Sequence, residues 1–149
     1  MDIYQLLKED HRKVKAIFEE LEETTERSVK KREILFANLK MELTVHADAE
    51  ETQFYSRLMK PKEMRDITTE ALQEHELARD LLSQLNTDPK DTEEWTAKLT
   101  VLKENVEHHI EEEEGTLFRK ARTILSEKEA IAIAEEVETF KEGASAINE

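Results

Sequence analysis

Two His-x-x-x-Glu pairs of this chain lie inside apolar helical stripes, and no other feature limits its folding options as much. His46 and Glu50 form the first pair, and His109 and Glu113 the second; both run on as Glu-Glu, through Glu51 and Glu114. An aromatic residue follows five places after the first Glu in each copy, Tyr55 and Phe118. Side chains four apart on a helix share one face, so an imidazole nitrogen and a carboxylate oxygen can converge on a single point. Turned towards a core, a carboxylate without a cation costs several kcal/mol, so two such pairs imply a metal.

Composition says what kind of core that is. With 2 Gly and 2 Pro in 149 residues, and Glu, Lys, Leu, Ala and Thr dominant, long helices with short connections are expected rather than a sheet. The length suits one domain, residues 1–149. A net charge of -14, from 36 acidic against 22 basic residues with no basic stripe, argues against nucleic acid as a partner. The absence of Cys excludes disulfides, thiolate nucleophiles and Fe–S clusters, leaving His and carboxylates as metal ligands. Oxygen and nitrogen donors suit Fe, Mn or Zn. No apolar run approaches the roughly 20 residues that span a bilayer, and the mixed-charge opening from Met1 to His11 is unlike a signal peptide. A soluble, cytoplasmic protein with no membrane partner is expected.

Periodicity supplies the helices. Ile3, Leu7, Val14, Phe18 and Leu21 predict a first helix from the cap Asp2 to about Thr25, with His11 on its stripe. A second, from Ser28 or Lys30 to about Met59, carries Phe36, Leu39, Leu43, His46, Glu50 and Phe54 before Pro61 stops it. The third runs from about Lys62 to Leu85, with His75 among Ile67, Ala71, Leu72, Ala78 and Leu82. In the fourth, capped by Asp91, Trp95, Leu99, Leu102, Val106, His109, Glu113 and Leu117 form a seam that selects His109 over His108, about 100° away. Gly115 loosens this helix locally. A short fifth helix, about 127–142, is capped by Ser126 with Glu129 and ends at Gly143, leaving Ala144 to Glu149 frayed.

Short loops make consecutive helices antiparallel, so the fold expected is all-α, an up-down-up-down four-helix bundle over about 2–124 with a short additional C-terminal helix. Counted from the helix ends at about 1.5 Å per residue, His11, His46, Glu50, His75, His109 and Glu113 fall within a turn or two of one level. Four of five His residues on narrow seams has a chance likelihood on the order of one in a hundred. Glu51, Glu111, Glu112 and Glu114 are read as solvated face, with hydrogen bonding behind the ligands as the alternative; His108 as a surface residue, or a fifth ligand if the fourth helix slips in register; and Tyr4, Tyr55 and Trp95 as core or rim aromatics before redox-active or pocket-lining groups.

The ordered set of a lone His, His-x-x-x-Glu, a lone His and a second His-x-x-x-Glu resembles the hemerythrin-like (HHE cation-binding) domain family over about residues 1–124. The resemblance implies that His11, His46, His75 and His109 are terminal ligands and that Glu50 and Glu113 bridge two irons, about 3.5 to 4 Å apart. One iron would take His11 and His46, the other His75 and His109. Oxygen-carrying hemerythrins have a second His on the third helix, where this chain has Ala71 and Arg79. An open position on one iron follows, which favours chemistry or sensing over reversible O2 carriage.

The function expected is therefore a di-iron protein that binds O2, NO or peroxide beside an apolar pocket of Leu7, Val14, Phe54 and Val106. The alternatives are a redox enzyme turning over peroxide or NO, and an iron-binding or iron-responsive module. Zn or Mn could stand in for Fe.

Overall fold

Asp2 starts the first helix as the sequence predicts: its carboxylate accepts from the Gln5 backbone N–H at 2.9 Å, while the Gln5 side chain accepts from the Asp2 N–H at 3.0 Å. The computed structural model describes the backbone of residues 1–148 and side chains through Ala144, with no strand among them. Helix α1 spans Ile3–Glu22. Helix α2, Val29–Ala49, continues through a π-helical stretch, Glu50–Tyr55, into Ser56–Leu58. Helix α3 is Lys62–Thr87. Helix α4, Glu93–Glu112, runs through a second π-helical stretch, Glu113–Leu117, into Phe118–Ile124. Helix α5 is Glu127–Asn148.

Two helix ends differ from expectation. Thr92, not Asp91, caps α4, its hydroxyl accepting from the Trp95 N–H at 3.1 Å. Gly143 does not end α5, because it keeps a negative φ instead of the left-handed conformation that stops a helix. The expected fraying from Ala144 is thus replaced by helix as far as Asn148, and Glu149 lies outside the described residues.

Helices α1 to α4 pack in a closed antiparallel circuit, α1 on α2, α2 on α3, α3 on α4 and α4 on α1, while α5 lies against α1 and α2. No described helix is long and apolar enough to cross a membrane. The core is two apolar clusters instead of one. Ile3, Leu7, Phe54, Leu58, Leu117 and Phe118 form the first, with Ile133 and Val137 of α5. Val14, Phe18, Leu39, Leu82, Trp95 and Val106 belong to the second. Along every bundle helix a histidine separates the two.

The second cluster is closed by a buried cation. Arg32 donates to Thr24 Oγ1 at 2.9 Å, to the Lys90 carbonyl at 2.6 Å and to Thr96 Oγ1 at 3.1 Å, with its guanidinium 4.9 Å over the Trp95 ring. It ties the α1–α2 and α3–α4 connections together at the end far from α5. Arg32→Ala removes these bonds and strands the acceptors; a loss of about 2–4 kcal/mol of stability is expected, measured as a lower urea midpoint with an unchanged slope.

Candidate metal centre

The two His-x-x-x-Glu pairs lie where α2 and α4 change from α- to π-helix. Both π stretches begin at the glutamate, Glu50 and Glu113, and are marked by bonds that span five residues, Ser56 N–H to the Glu51 carbonyl and Phe118 N–H to the Glu113 carbonyl. One extra residue per turn widens the inward face, so Phe54 with Tyr55, and Leu117 with Phe118, are buried side by side. Gly115 lies in the second stretch, where loosening was expected; the first has no glycine.

All six expected residues meet in one buried layer, none more than 8 % exposed, whereas the side chain of His108 is 61 % exposed. His11, His46, Glu50 and Glu113 converge on one side, and Glu50, His75 and His109 on the other. Glu113 spans both: Oε1 lies 3.1 Å from His11 Nε2 and Oε2 lies 3.3 Å from His109 Nε2. Glu50 Oε1 lies 3.1 Å from His75 Nε2 and 3.5 Å from His46 Nε2. Ligand atoms about 2.0–2.2 Å from a cation, at right angles to one another, stand about 3 Å apart. Both oxygens of Glu50, Oε1 of Glu113 and Nε2 of His11 have no hydrogen-bond partner although fully enclosed. Unpaired acceptors facing imidazole nitrogens at that spacing fit a pair of cations.

Each imidazole is aimed by a second carboxylate at its other nitrogen. His46 Nδ1 bonds Asp10 at 2.9 Å, His109 Nδ1 bonds Glu74 at 2.9 Å, His75 Nδ1 bonds Glu51 at 2.7 Å and His11 Nδ1 bonds Glu114 at 2.6 Å. A carboxylate only accepts, so Nδ1 carries the proton and the Nε2 lone pair points inward. The pattern repeats between halves of the chain: Asp10-His11 with His46 in α1 and α2 matches Glu74-His75 with His109 in α3 and α4. The expectation that Glu51 and Glu114 are solvated face is therefore corrected, and Asp10 and Glu74 are additional residues of the site. Each of these two immediately precedes a histidine, and that adjacency was the available signal.

One position breaks the repeat. Tyr55, stacked on His75 with ring centres 5.4 Å apart, donates its hydroxyl to Glu113 Oε2 and lies 3.4 Å from His109 Nε2. Its counterpart Phe118 stacks on His11 at 6.5 Å and offers no polar group. Tyr55 is thus part of the site and not only a core aromatic.

Two basic side chains brace the outer carboxylates: Lys141 of α5 bonds Asp10, and Arg79 bonds Glu51 at 2.6 Å. Six carboxylates against two cations leave four negative charges, which two divalent ions cancel. A cavity of ≈ 40 Å³ opens on the imidazole side, between the four histidines and the second apolar cluster, lined by Val14, Leu43, Ala78, Leu82, Val106 and Ile110. Leu7 and Phe54, expected to line the pocket, belong instead to the apolar cluster on the opposite side.

Protonation follows from these contacts. Burial alone would lower His46, but the Glu50 carboxylate and the bond to Asp10 outweigh it and raise its pKa to about 10. Burial opposes, and His46 and Lys141 reverse, the shift of Asp10, which falls to about 2. Against burial, Glu113 holds His109 well above the usual imidazole range, and His109 holds Glu113 well below the usual carboxylate range. Burial and then Glu113 raise Tyr55 well above an ordinary phenol.

These features define a helical bundle with a buried histidine–carboxylate cation site. The chain belongs to the hemerythrin HHE cation binding domain family, whose model matches residues 2–121. A DNA nickase of Nostoc sp. is 30% identical over 141 residues, covering 95% of this chain but 39% of that protein, so the chain spans well under half of that relative. The crystal structure of a hemerythrin HHE cation binding domain-containing protein from Mycobacterium kansasii has the same fold, with a TM-score of 0.84 at 24% identity over 97% of this chain and 87% of that one.

Three outcomes are expected. Stability of the metal-free protein should fall as pH rises from 6.5 to about 10, because folded His46 holds its proton there and unfolded His46 does not; Asp10 costs stability only as pH drops from 3.8 towards 2. Metal needs the imidazoles neutral, so the rise in Tm on metal loading should grow over that alkaline range. Asp10→Asn, which takes the negative acceptor from His46, should weaken metal binding about 10–100-fold by competitive titration.

Proposed function

We propose that this chain is a non-haem di-iron protein that binds O2, NO or peroxide in sensing, storage or detoxification. The observation that carries the reading is the layer itself: four imidazoles with Nε2 turned inward and two carboxylates with unpaired oxygens, beside an apolar cavity of ≈ 40 Å³. His11 and His46 would hold one iron and His75 and His109 the other, with Glu50 and Glu113 shared between them. Bound irons would supply redox change and an open position for the small ligand. The cavity would exclude larger molecules, since it exceeds the space of one water by only a few-fold. Its apolar walls would keep bulk water from the bound ligand.

Tyr55 favours turnover as a second reading. Its hydroxyl stays protonated through neutral pH, is bonded to Glu113 and lies beside His109, so it can hold and give up a proton at one half of the site only. An iron-responsive module is a third reading, supported by the paired-up charges that metal would neutralise. A cytoplasmic setting and Zn or Mn as occupants belong to the same proposal. Nicking is not carried over from the longer Nostoc protein, because a net charge of -14 repels a phosphate backbone.

The test begins with elemental analysis of freshly purified protein, where two Fe per chain are expected and Zn alone would remove the redox readings. O2, NO or peroxide is then added to the reduced protein while its absorption spectrum is followed. A stable reversible adduct supports binding and sensing, and repeated consumption supports catalysis. Tyr55→Phe should leave the metal content unchanged and slow peroxide or NO consumption about 100-fold, a typical effect of losing a positioned proton donor. His109→Ala should lose metal at equilibrium, while His108→Ala should retain it.

A further inference from the structure

We propose that Glu74, His108 and Glu112 form a surface site that captures a divalent cation and passes it to the buried centre. The inference rests on the metal-centre reading above. His108 and Glu112 repeat the His-x-x-x-Glu spacing on the outer face of α4, with His108 Nε2 3.4 Å from Glu112 Oε1 and 4.0 Å from Glu74 Oε2. The three groups can point one ligand atom each at a shared position. Glu74 faces both ways, because its other oxygen, Oε1, holds buried His109 at 2.9 Å.

A narrow passage continues inward from this cluster. Glu74, Glu112 and Glu113 line it together with His109, Ile67, Ala71 and Leu117. Its buried lining includes Glu113, 1 % exposed, whose Oε2 lies 3.3 Å from His109 Nε2 and whose unpaired Oε1 reaches on to His11 at 3.1 Å. At ≈ 10 Å³ the passage holds about one water-sized sphere. A hydrated ion is too large for it, so a cation would move by exchanging carboxylate ligands, from Glu112 and Glu74 to Glu113. The small side chain of Ala71 keeps the space open.

The other openings beside the centre have the wrong charge for this task. Arg79 stands at the imidazole-side cavity, and Lys13 and Lys141 line the depression over His46 and Asp10. The passage at Glu112 is lined by no Lys or Arg, and its one imidazole, His109, is paired with Glu74 and Glu113. Cation and neutral ligand thus have separate routes, one lined by carboxylates and one mostly apolar.

The probe is Co2+ added to the metal-free protein, with uptake followed by its visible absorption in a stopped-flow instrument and final content measured after gel filtration. The double variant His108→Ala/Glu112→Gln should take up Co2+ about 10-fold more slowly, within the range by which local charge speeds association, and still reach two Co2+ per chain. Glu111→Gln, which removes a charge from the neighbouring exposed position, should load at the wild-type rate. Wild-type kinetics in the double variant, or equal slowing in Glu111→Gln, would overturn the capture site while leaving the centre intact. A wild-type protein that binds no Co2+ would overturn the metal-centre reading as well.

Discussion

Glu50 and Glu113 are carboxylates enclosed in an apolar interior, and no donor among the described residues satisfies either oxygen of Glu50 or Oε1 of Glu113. Such groups are tolerated only when a cation or a matching proton offsets their desolvation. The rest of the layer is arranged around that constraint. Four imidazoles approach the two carboxylates, and four further carboxylates fix each imidazole from behind. Without metal, His46, His75 and His109 are held protonated by the acids around them; with metal, those protons must leave. Folding, protonation and metal binding are therefore one coupled equilibrium in this protein.

The π-helical stretches give the layer its width. An α-helix places a residue and its fourth successor on one face but turns the next residue about 100° away. Starting a π stretch at each shared glutamate brings a second aromatic or apolar side chain inward on the same helix. That device lets α2 present Phe54 to the core and Tyr55 to His75 at once. It also sets a phenol in one half of the repeat against a phenyl ring in the other. The helix outside the bundle takes part too, since Lys141 of α5 bonds the carboxylate that positions His46.

The legible part of the site was its periodic part. His11, His46, His75 and His109 fall on seams whose 3.6-residue repeat survives in the folded helices, and the choice of His109 over His108 follows from that repeat alone. Glu51 and Glu114 were misread because an undistorted helix turns them towards solvent, whereas each crosses to a histidine on a neighbouring helix. Asp10 and Glu74 were missed for a related reason: their partners, His46 and His109, are 36 and 35 residues away. No spacing in the sequence singles out Arg32, and only the meeting of two loops over Trp95 explains its burial.

By itself the sequence determined the helices, their antiparallel order and the level at which six ligand-type side chains meet, because these depend on spacing along one chain. Tertiary structure decided which carboxylate stands behind which histidine, that the Tyr55 hydroxyl meets Glu113, and where the cavity opens. Those are contacts between different helices, set by their rotation and by two local changes of helical pitch, and no period in the sequence encodes them.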